Sequence, residues 1–186
     1  MKSKVIIYKK MDKKVLNFIE NTCDVVYFQK LDSENYPKFI QELKDADAIM
    51  GSGLKVNKDL LDQAPCLRIV CNTSVGYDNL DLKELEKRGI IATNTPEVLN
   101  DTVADTVFSL ILSTARRIPE LDQFVKKGEW KSNLTEEKFG IDVHHKTLGI
   151  IGMGGIGNAL AKRAHLGFDM QILYHNRSRK EEAEQK

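Results

Sequence analysis

A glycine-rich turn between two differently patterned stretches constrains this chain more than any other feature. Residues 148–151 read Leu148-Gly149-Ile150-Ile151, and Gly152-Met153-Gly154-Gly155-Ile156-Gly157 follows at once, opening a stretch rich in alanine and leucine. The implied order is strand, tight turn, helix. In that setting Gly152 makes the turn, Gly154 lets the backbone approach a pyrophosphate, and Gly157 lets the helix pack closely on the strand. The helix N-terminus adds unpaired N–H groups and a positive dipole end, which suit an anion. A dinucleotide site is expected; a purely structural tight turn is the plainer reading of the same glycines.

The next strand, over 171–174, reads Gln171-Ile172-Leu173-Tyr174 and is followed by His175-Asn176-Arg177-Ser178-Arg179-Lys180. Folds that bind NAD usually place Asp or Glu here, against the ribose 2′-hydroxyl. A carboxylate would repel a 2′-phosphate, whereas Arg177 can pair with one in fork geometry and Asn176 and Ser178 supply neutral donors. The expected cofactor is therefore NADP, with NADPH preferred over NADH. The bland alternative is a solvated basic loop.

Composition narrows the partners. The 28 basic and 27 acidic side chains nearly cancel, so no strong field favours nucleic acid or an anionic membrane. With 186 residues and 41% hydrophobic content, the chain has room for one large or two small globular domains. No apolar run reaches membrane-spanning length, and residues 1–10 read as a lysine-dotted strand, not a signal peptide. A soluble, cytoplasmic protein is expected. Cys23, Cys66 and Cys71 are odd in number and lack zinc-like spacing with histidine, so no metal site is expected and Cys71 reads as a reduced core thiol. His144 and His145 are adjacent, so their side chains should diverge and cap the approach to the next strand.

Ahead of the glycine turn, β-rich runs alternate with helical periodicity. Strands are predicted over 5–8, 25–28, 48–50, 67–71 and 90–93, with helices over 13–20, through Phe39, Ile40 and Leu43, and over 58–64 and 82–87. Such alternation with apolar strands argues for a parallel sheet covered on both faces. Thr95-Pro96 marks a break. Beyond it Asn100 or Asp101 is expected to cap a long helix to about Arg117, and a short helix should follow over 121–127. Residues 128–146 show little periodicity and carry Trp130, the only tryptophan. After the glycine turn only a helix, one strand and the start of another helix follow, whereas a dinucleotide domain has about two βαβαβ halves. The nicotinamide half is expected to be missing.

Ligands collect at the carboxyl ends of parallel strands. Gly51-Ser52-Gly53-Leu54 follows the third predicted strand, and Thr73-Ser74-Val75-Gly76-Tyr77-Asp78-Asn79 follows the fourth. Glycine turns at such ends can aim successive N–H groups at a carboxylate, although many are only turns.

Four segments resemble the D-isomer-specific 2-hydroxyacid dehydrogenases: Ser74-Val75-Gly76-Tyr77-Asp78-Asn79, Thr102-Val103-Ala104-Asp105-Thr106, Ser113-Thr114-Ala115-Arg116-Arg117 and residues 146–154. Within that family the chain is most similar to the glyoxylate/hydroxypyruvate and 2-ketogluconate reductases, on Asp142-Val143-His144-His145-Lys146-Thr147 and the run 174–180. The resemblance implies an α/β fold, with a flavodoxin-like parallel-sheet substrate domain over 1–98 and an incomplete Rossmann dinucleotide-binding domain over 99–186. It implies that Leu54, Val75 and Gly76 contact a small 2-oxo acid, the latter two through N–H groups to its carboxylate. Val103 would lie near the nicotinamide. Gly155, Ile156, Gly157 and Asn158 would surround the pyrophosphate, and Asn176, Arg177 and Ser178 would take the 2′-phosphate. A homodimer formed through 100–146 is also implied.

Two departures from the family pattern stand out. Many relatives have Arg where this chain has Gly155, so one cationic contact is lost and weaker cofactor binding is expected. The family's catalytic Arg, Glu and His belong to segments beyond Lys186, and none of His144, His145, His165 or His175 matches their motifs. No catalytic residue is assigned. The expected function is NADPH-dependent reduction of glyoxylate, hydroxypyruvate or 2-ketogluconate to the D-2-hydroxy acid, this chain being inactive alone. The alternative is a non-catalytic remnant that at most binds dinucleotide or dimerises.

Overall fold

The computed structural model describes residues 2–185, which fall into two compact units, Met1–Pro96 and Glu97–Lys186. In the first unit the strands are β1 Lys4–Ile7, β2 Asp24–Tyr27, β3 Ala48–Gly51, β4 Ile69–Asn72 and β5 Ile91–Thr93. Between them run α1 Lys13–Thr22, α2 Tyr36–Leu43, α3 Lys58–Leu61 and α4 Leu82–Lys87. All neighbouring strands pair in parallel, in the order β2-β1-β3-β4-β5. That is the flavodoxin-like order.

Alternation within the short strands sends side chains to both faces. Ile6, Ile49 and Val70 meet Phe39, Leu43, Leu60, Leu61 and Leu85 on one side. Val5, Ile7 and Ala48 meet Leu16 and Ile19 on the other. Asp12, Asn57 and Asp81 cap α1, α3 and α4 by accepting from Lys14 N, Leu60 N and Glu84 N. The helix predicted over 58–64 stops at Leu61. Gln63 N donates to Leu60 O and Ala64 N to Leu61 O, a tightening into three-residue turns that leads into Pro65, which disfavours helical geometry at the residue before it. Cys71 is half-buried rather than in the core, because its side chain leaves the sheet opposite to Val70.

The second unit contains α5 Asn100–Ala115, α6 Ile118–Lys126, a 3₁₀ turn at Glu136–Lys138, β6 Thr147–Ile151, α7 Gly155–Phe168, β7 Gln171–His175 and α8 Glu181–Glu184. β6 and β7 are parallel, with Ile151 opposite His175, and α7 is their crossover. Ala104 and Phe108 of α5 share a core with Leu160 and Ala164 of α7 and with Ile150 and Met170. The Phe108 and Phe168 ring centroids lie 4.7 Å apart.

Two local expectations need correction here. The N-cap of α5 is Leu99, with no side-chain cap bond, and Asn100 is the first helical residue. His144 and His145 do not diverge: their rings stand perpendicular with centroids 4.8 Å apart. His145 takes a left-handed φ of 59°, which turns its N–H to Phe168 O and its Nδ1 to Asp169 Oδ2 at 3.0 Å.

Candidate functional site

In the second unit the glycine turn has the anatomy that its spacing predicts. β6 ends at Ile151, and Gly152 takes φ +98°, a region that side chains other than glycine rarely adopt. Its N–H donates to His175 O at 2.8 Å, holding the turn to the end of β7. Gly154 is the extended N-cap of α7 and offers no side-chain cap. The first helical bond runs from Asn158 N to Gly154 O at 2.9 Å. The N–H groups of Gly155, Ile156 and Gly157 therefore donate to no protein group among the described residues. Gly157 is buried, and a Cβ there would run into Gly152 O and come within 3.4 Å of Ile150 Cγ2. Helix and strand approach this closely only because residue 157 lacks a side chain.

Val103 lies in the opening turns of α5, half-buried. The N-terminal ends of α5 and α7 meet, since the Asn100 side chain occupies the space that a Cβ on Gly155 would take.

The loop after β7 sorts its cations. Arg179 is committed to Glu184, with Nε to Oε2 at 3.0 Å and a second nitrogen to the same oxygen at 2.6 Å. The Tyr174 hydroxyl donates to Glu184 Oε1 at 2.6 Å and accepts from Lys180 N at 2.9 Å. Arg179 and Tyr174 together hold the Glu184 carboxyl down to about 2. Asn176 Nδ2 donates to Ser178 O at 2.9 Å, shaping the loop. Arg177 is exposed and makes no ion pair among the described residues. Of the two guanidiniums, it is the one available to an outside anion.

In the first unit Leu54, Val75 and Gly76 come together through asparagines that the sequence reading passed over. Asn72 is 2% exposed; its Nδ2 donates to Gly76 O at 2.7 Å and Ser74 Oγ at 2.8 Å. Asn79 Nδ2 donates to Leu54 O at 2.8 Å, joining the two loops. Asn94 Nδ2 donates to Val75 O at 2.9 Å. With those carbonyls tied down, the N–H groups of Val75 and Gly76 donate to no protein group among the described residues. A signal existed for Asn72, a polar residue ending an apolar strand; nothing local marks Asn79 or Asn94.

Tyr8, at the end of β1, was likewise not singled out. Its ring fills the space that a Cβ on Gly51 would occupy and meets Phe39 edge-on at 6.0 Å. Burial pushes its hydroxyl up to about 12.

Two sets of backbone donors, each at the carboxyl end of parallel strands, suit a carboxylate and a phosphate. Residues 5–183 match the D-isomer specific 2-hydroxyacid dehydrogenase catalytic domain. The chain belongs to that family. A glyoxylate/hydroxypyruvate reductase B of Erwinia tasmaniensis is 48% identical over 186 residues, which is all of this chain and 58% of the relative. The chain thus spans a little over half the length of that curated relative. Among solved structures, D-lactate dehydrogenase from Aquifex aeolicus, complexed with NAD and lactic acid, has a TM-score of 0.83 at 26% identity, over 97% of this chain and 54% of that one. The NADPH-dependent glyoxylate/hydroxypyruvate reductase of Sinorhizobium meliloti, in complex with citrate, has a TM-score of 0.76 at 29% identity, over 97% of this chain and 56% of that one.

No described helix of this chain is long and apolar enough to cross a membrane. Leu54, Val75 and Gly76 belong to its first unit; Val103, the glycine turn and Asn176, Arg177 and Ser178 belong to its second.

Proposed function

We propose that this chain supplies the ligand-binding portion of an NADPH-dependent reductase of small 2-oxo acids, with glyoxylate, hydroxypyruvate and 2-ketogluconate as candidate substrates. The first unit acts as the substrate domain and the second as the dinucleotide domain. Val75 and Gly76 N–H groups hold the substrate carboxylate, with Leu54 beside it. Gly152, Gly154, Gly155, Ile156, Gly157 and Asn158 surround the cofactor pyrophosphate, and Val103 lies toward the nicotinamide. The bound cofactor supplies the hydride.

The observation that carries the NADPH preference is the pairing pattern after β7. Glu184 neutralises Arg179, and Arg177, beside Asn176 and Ser178, has no ion pair among the described residues. A guanidinium with no carboxylate of its own favours a 2′-phosphate over a hydroxyl. All four histidines lie between residues 144 and 175, in the second unit, so the substrate loops carry no imidazole to donate a proton. These residues bind and orient; we assign none of them proton transfer. Homodimerisation through 100–146 fits the apolar surface there, where Ile118, Trp130, Phe139 and Ile141 are exposed.

Calorimetric titration of the 186-residue chain with NADPH and NADH tests the reading. NADPH should bind more tightly, and adding glyoxylate or hydroxypyruvate should produce no NADPH oxidation by this chain alone. Equal affinity for both cofactors rejects the preference, and measurable turnover rejects the assignment of purely binding roles.

A further inference from the structure

Residues 175–179 are closed twice, one closure inside the other. The outer closure belongs to Tyr174 of β7, whose hydroxyl accepts from Lys180 N at 2.9 Å and so joins the two ends of the loop. The inner one belongs to Asn176, whose Nδ2 donates to Ser178 O at 2.9 Å. Arg177 is the middle residue of both.

The Tyr174 hydroxyl can accept from Lys180 because its own proton is already committed. It donates to Glu184 Oε1 at 2.6 Å. That carboxyl is held down to about 2 by Arg179 and then by Tyr174 itself, so at neutral pH it is ionised and only accepts. Arg179 grips the other carboxylate oxygen, with Nε at 3.0 Å and a second nitrogen at 2.6 Å. The charges therefore set the direction of the hydroxyl proton and leave a lone pair for the Lys180 N–H. Below the hydroxyl, the half-buried Tyr174 ring packs with Ile172 and Ala183 in the core of the second unit. Packing against that core, and not the loop, fixes where the hydroxyl stands.

Arg177 is exposed and has no ion pair among the described residues. A free loop carrying such a guanidinium would lose backbone freedom at each residue on closing around a phosphate, and that loss weakens binding. The two closures impose much of this order before any ligand arrives.

We propose that Tyr174 is a positioning residue for coenzyme selectivity: its hydroxyl closes residues 175–179 into the shape that presents Arg177 to the 2′-phosphate of NADPH. The inference rests on the reading of Arg177 as the partner of that phosphate. Tyr174 acts through Arg177, since its hydroxyl is engaged by Glu184 and Lys180. NADH carries a 2′-hydroxyl in place of the phosphate, so it gains little from the arrangement and loses little without it.

Calorimetry of the full chain with NADPH and NADH tests this on Tyr174→Phe, Arg177→Ala and the double variant. The phenyl ring keeps the packing with Ile172 and Ala183, so a thermal midpoint near the parent's is expected. Tyr174→Phe should weaken NADPH roughly fivefold, the loss of one ordinary hydrogen bond, and leave NADH unchanged. In the Arg177→Ala background the same change should have no effect on NADPH. Equal losses for the two cofactors, or an undiminished loss without Arg177, overturn the proposal, because either outcome is a structural effect that does not pass through Arg177. Hydrogen exchange on the parent reads the closure without any variant: the Lys180 amide should exchange more slowly than those of Arg177 and Ser178, and equal rates overturn the proposal. A parent with no preference for NADPH refutes the Arg177 reading and this inference with it, whereas a preference that Tyr174→Phe leaves intact refutes this inference alone.

Discussion

The side-chain amide of Asn100, the first residue of α5, occupies the position that a Cβ on Gly155, the first residue of α7, would need. Two helix N-termini are thereby packed against each other at the turn that offers free N–H groups. Any side chain at position 155 must displace Asn100 first.

Gly155→Ala and Asn100→Ala should therefore be non-additive. A Cβ at 155 is opposed by the Asn100 amide but favoured by helix propensity, so the single change can be small. The coupling in a double-mutant cycle should be about 1 kcal/mol, the range for residues in contact. Urea denaturation of the four proteins measures it. Additive effects would mean that Asn100 moves aside freely.

Arg177→Ala should weaken NADPH binding by roughly tenfold, the loss of one charge-assisted contact in water, and leave NADH nearly unaffected. Calorimetry on both cofactors decides it. An equal fall for the two would place Arg177 on a shared part of the cofactor.

Glu184 governs the second guanidinium. Its carboxyl lies at about 2 against an ordinary 4.5, so its contribution to holding α8 is full above about 4.5 and is lost as pH falls through about 2. The Arg179 Nε–H resonance should track that titration. At neutral pH, Glu184→Gln should release Arg179 and tighten NADPH relative to NADH. A variant that binds NADPH no better than the parent would show that Arg179 does not reach the 2′-phosphate.

Asn72→Ala should destabilise the first unit by about 1 kcal/mol, because the buried Asn72 amide no longer donates to Ser74 Oγ and Gly76 O in the loop above it. Amide exchange at Val75 and Gly76 should accelerate with it. Exchange rates equal to the parent's would mean that Asn79 and Asn94 alone hold the loop.

Replacing Trp130 and Phe139 together with serine removes two exposed apolar side chains from the region proposed to dimerise. Light scattering should report a dimer for the parent and a monomer for the variant. A parent that stays monomeric across concentration rejects the assembly.

Much of the architecture was readable from local pattern. Short apolar runs such as 5–8 and 148–151 identified every strand among the described residues, and Gly152 and Gly157 declared the turn because each satisfies a backbone demand that only glycine meets. Errors fell at boundaries and partners. The helix at 58–64 ended early, the cap of α5 belonged to Leu99, and the adjacent histidines met instead of parting through a left-handed backbone at His145.

The sequence by itself determined the α/β class, the glycine turn and the family, because periodicity, glycine spacing and motif order are properties of neighbours along the chain. Only the tertiary structure decided which polar groups are spent and which are left over. Among the described residues Arg179 is neutralised and Arg177 is not, Asn72 is buried as an anchor, and the Tyr8 hydroxyl has no hydrogen-bond partner. Those outcomes depend on residues brought together from different elements, and hydrogen-bond satisfaction is settled by distance in space rather than by separation in sequence.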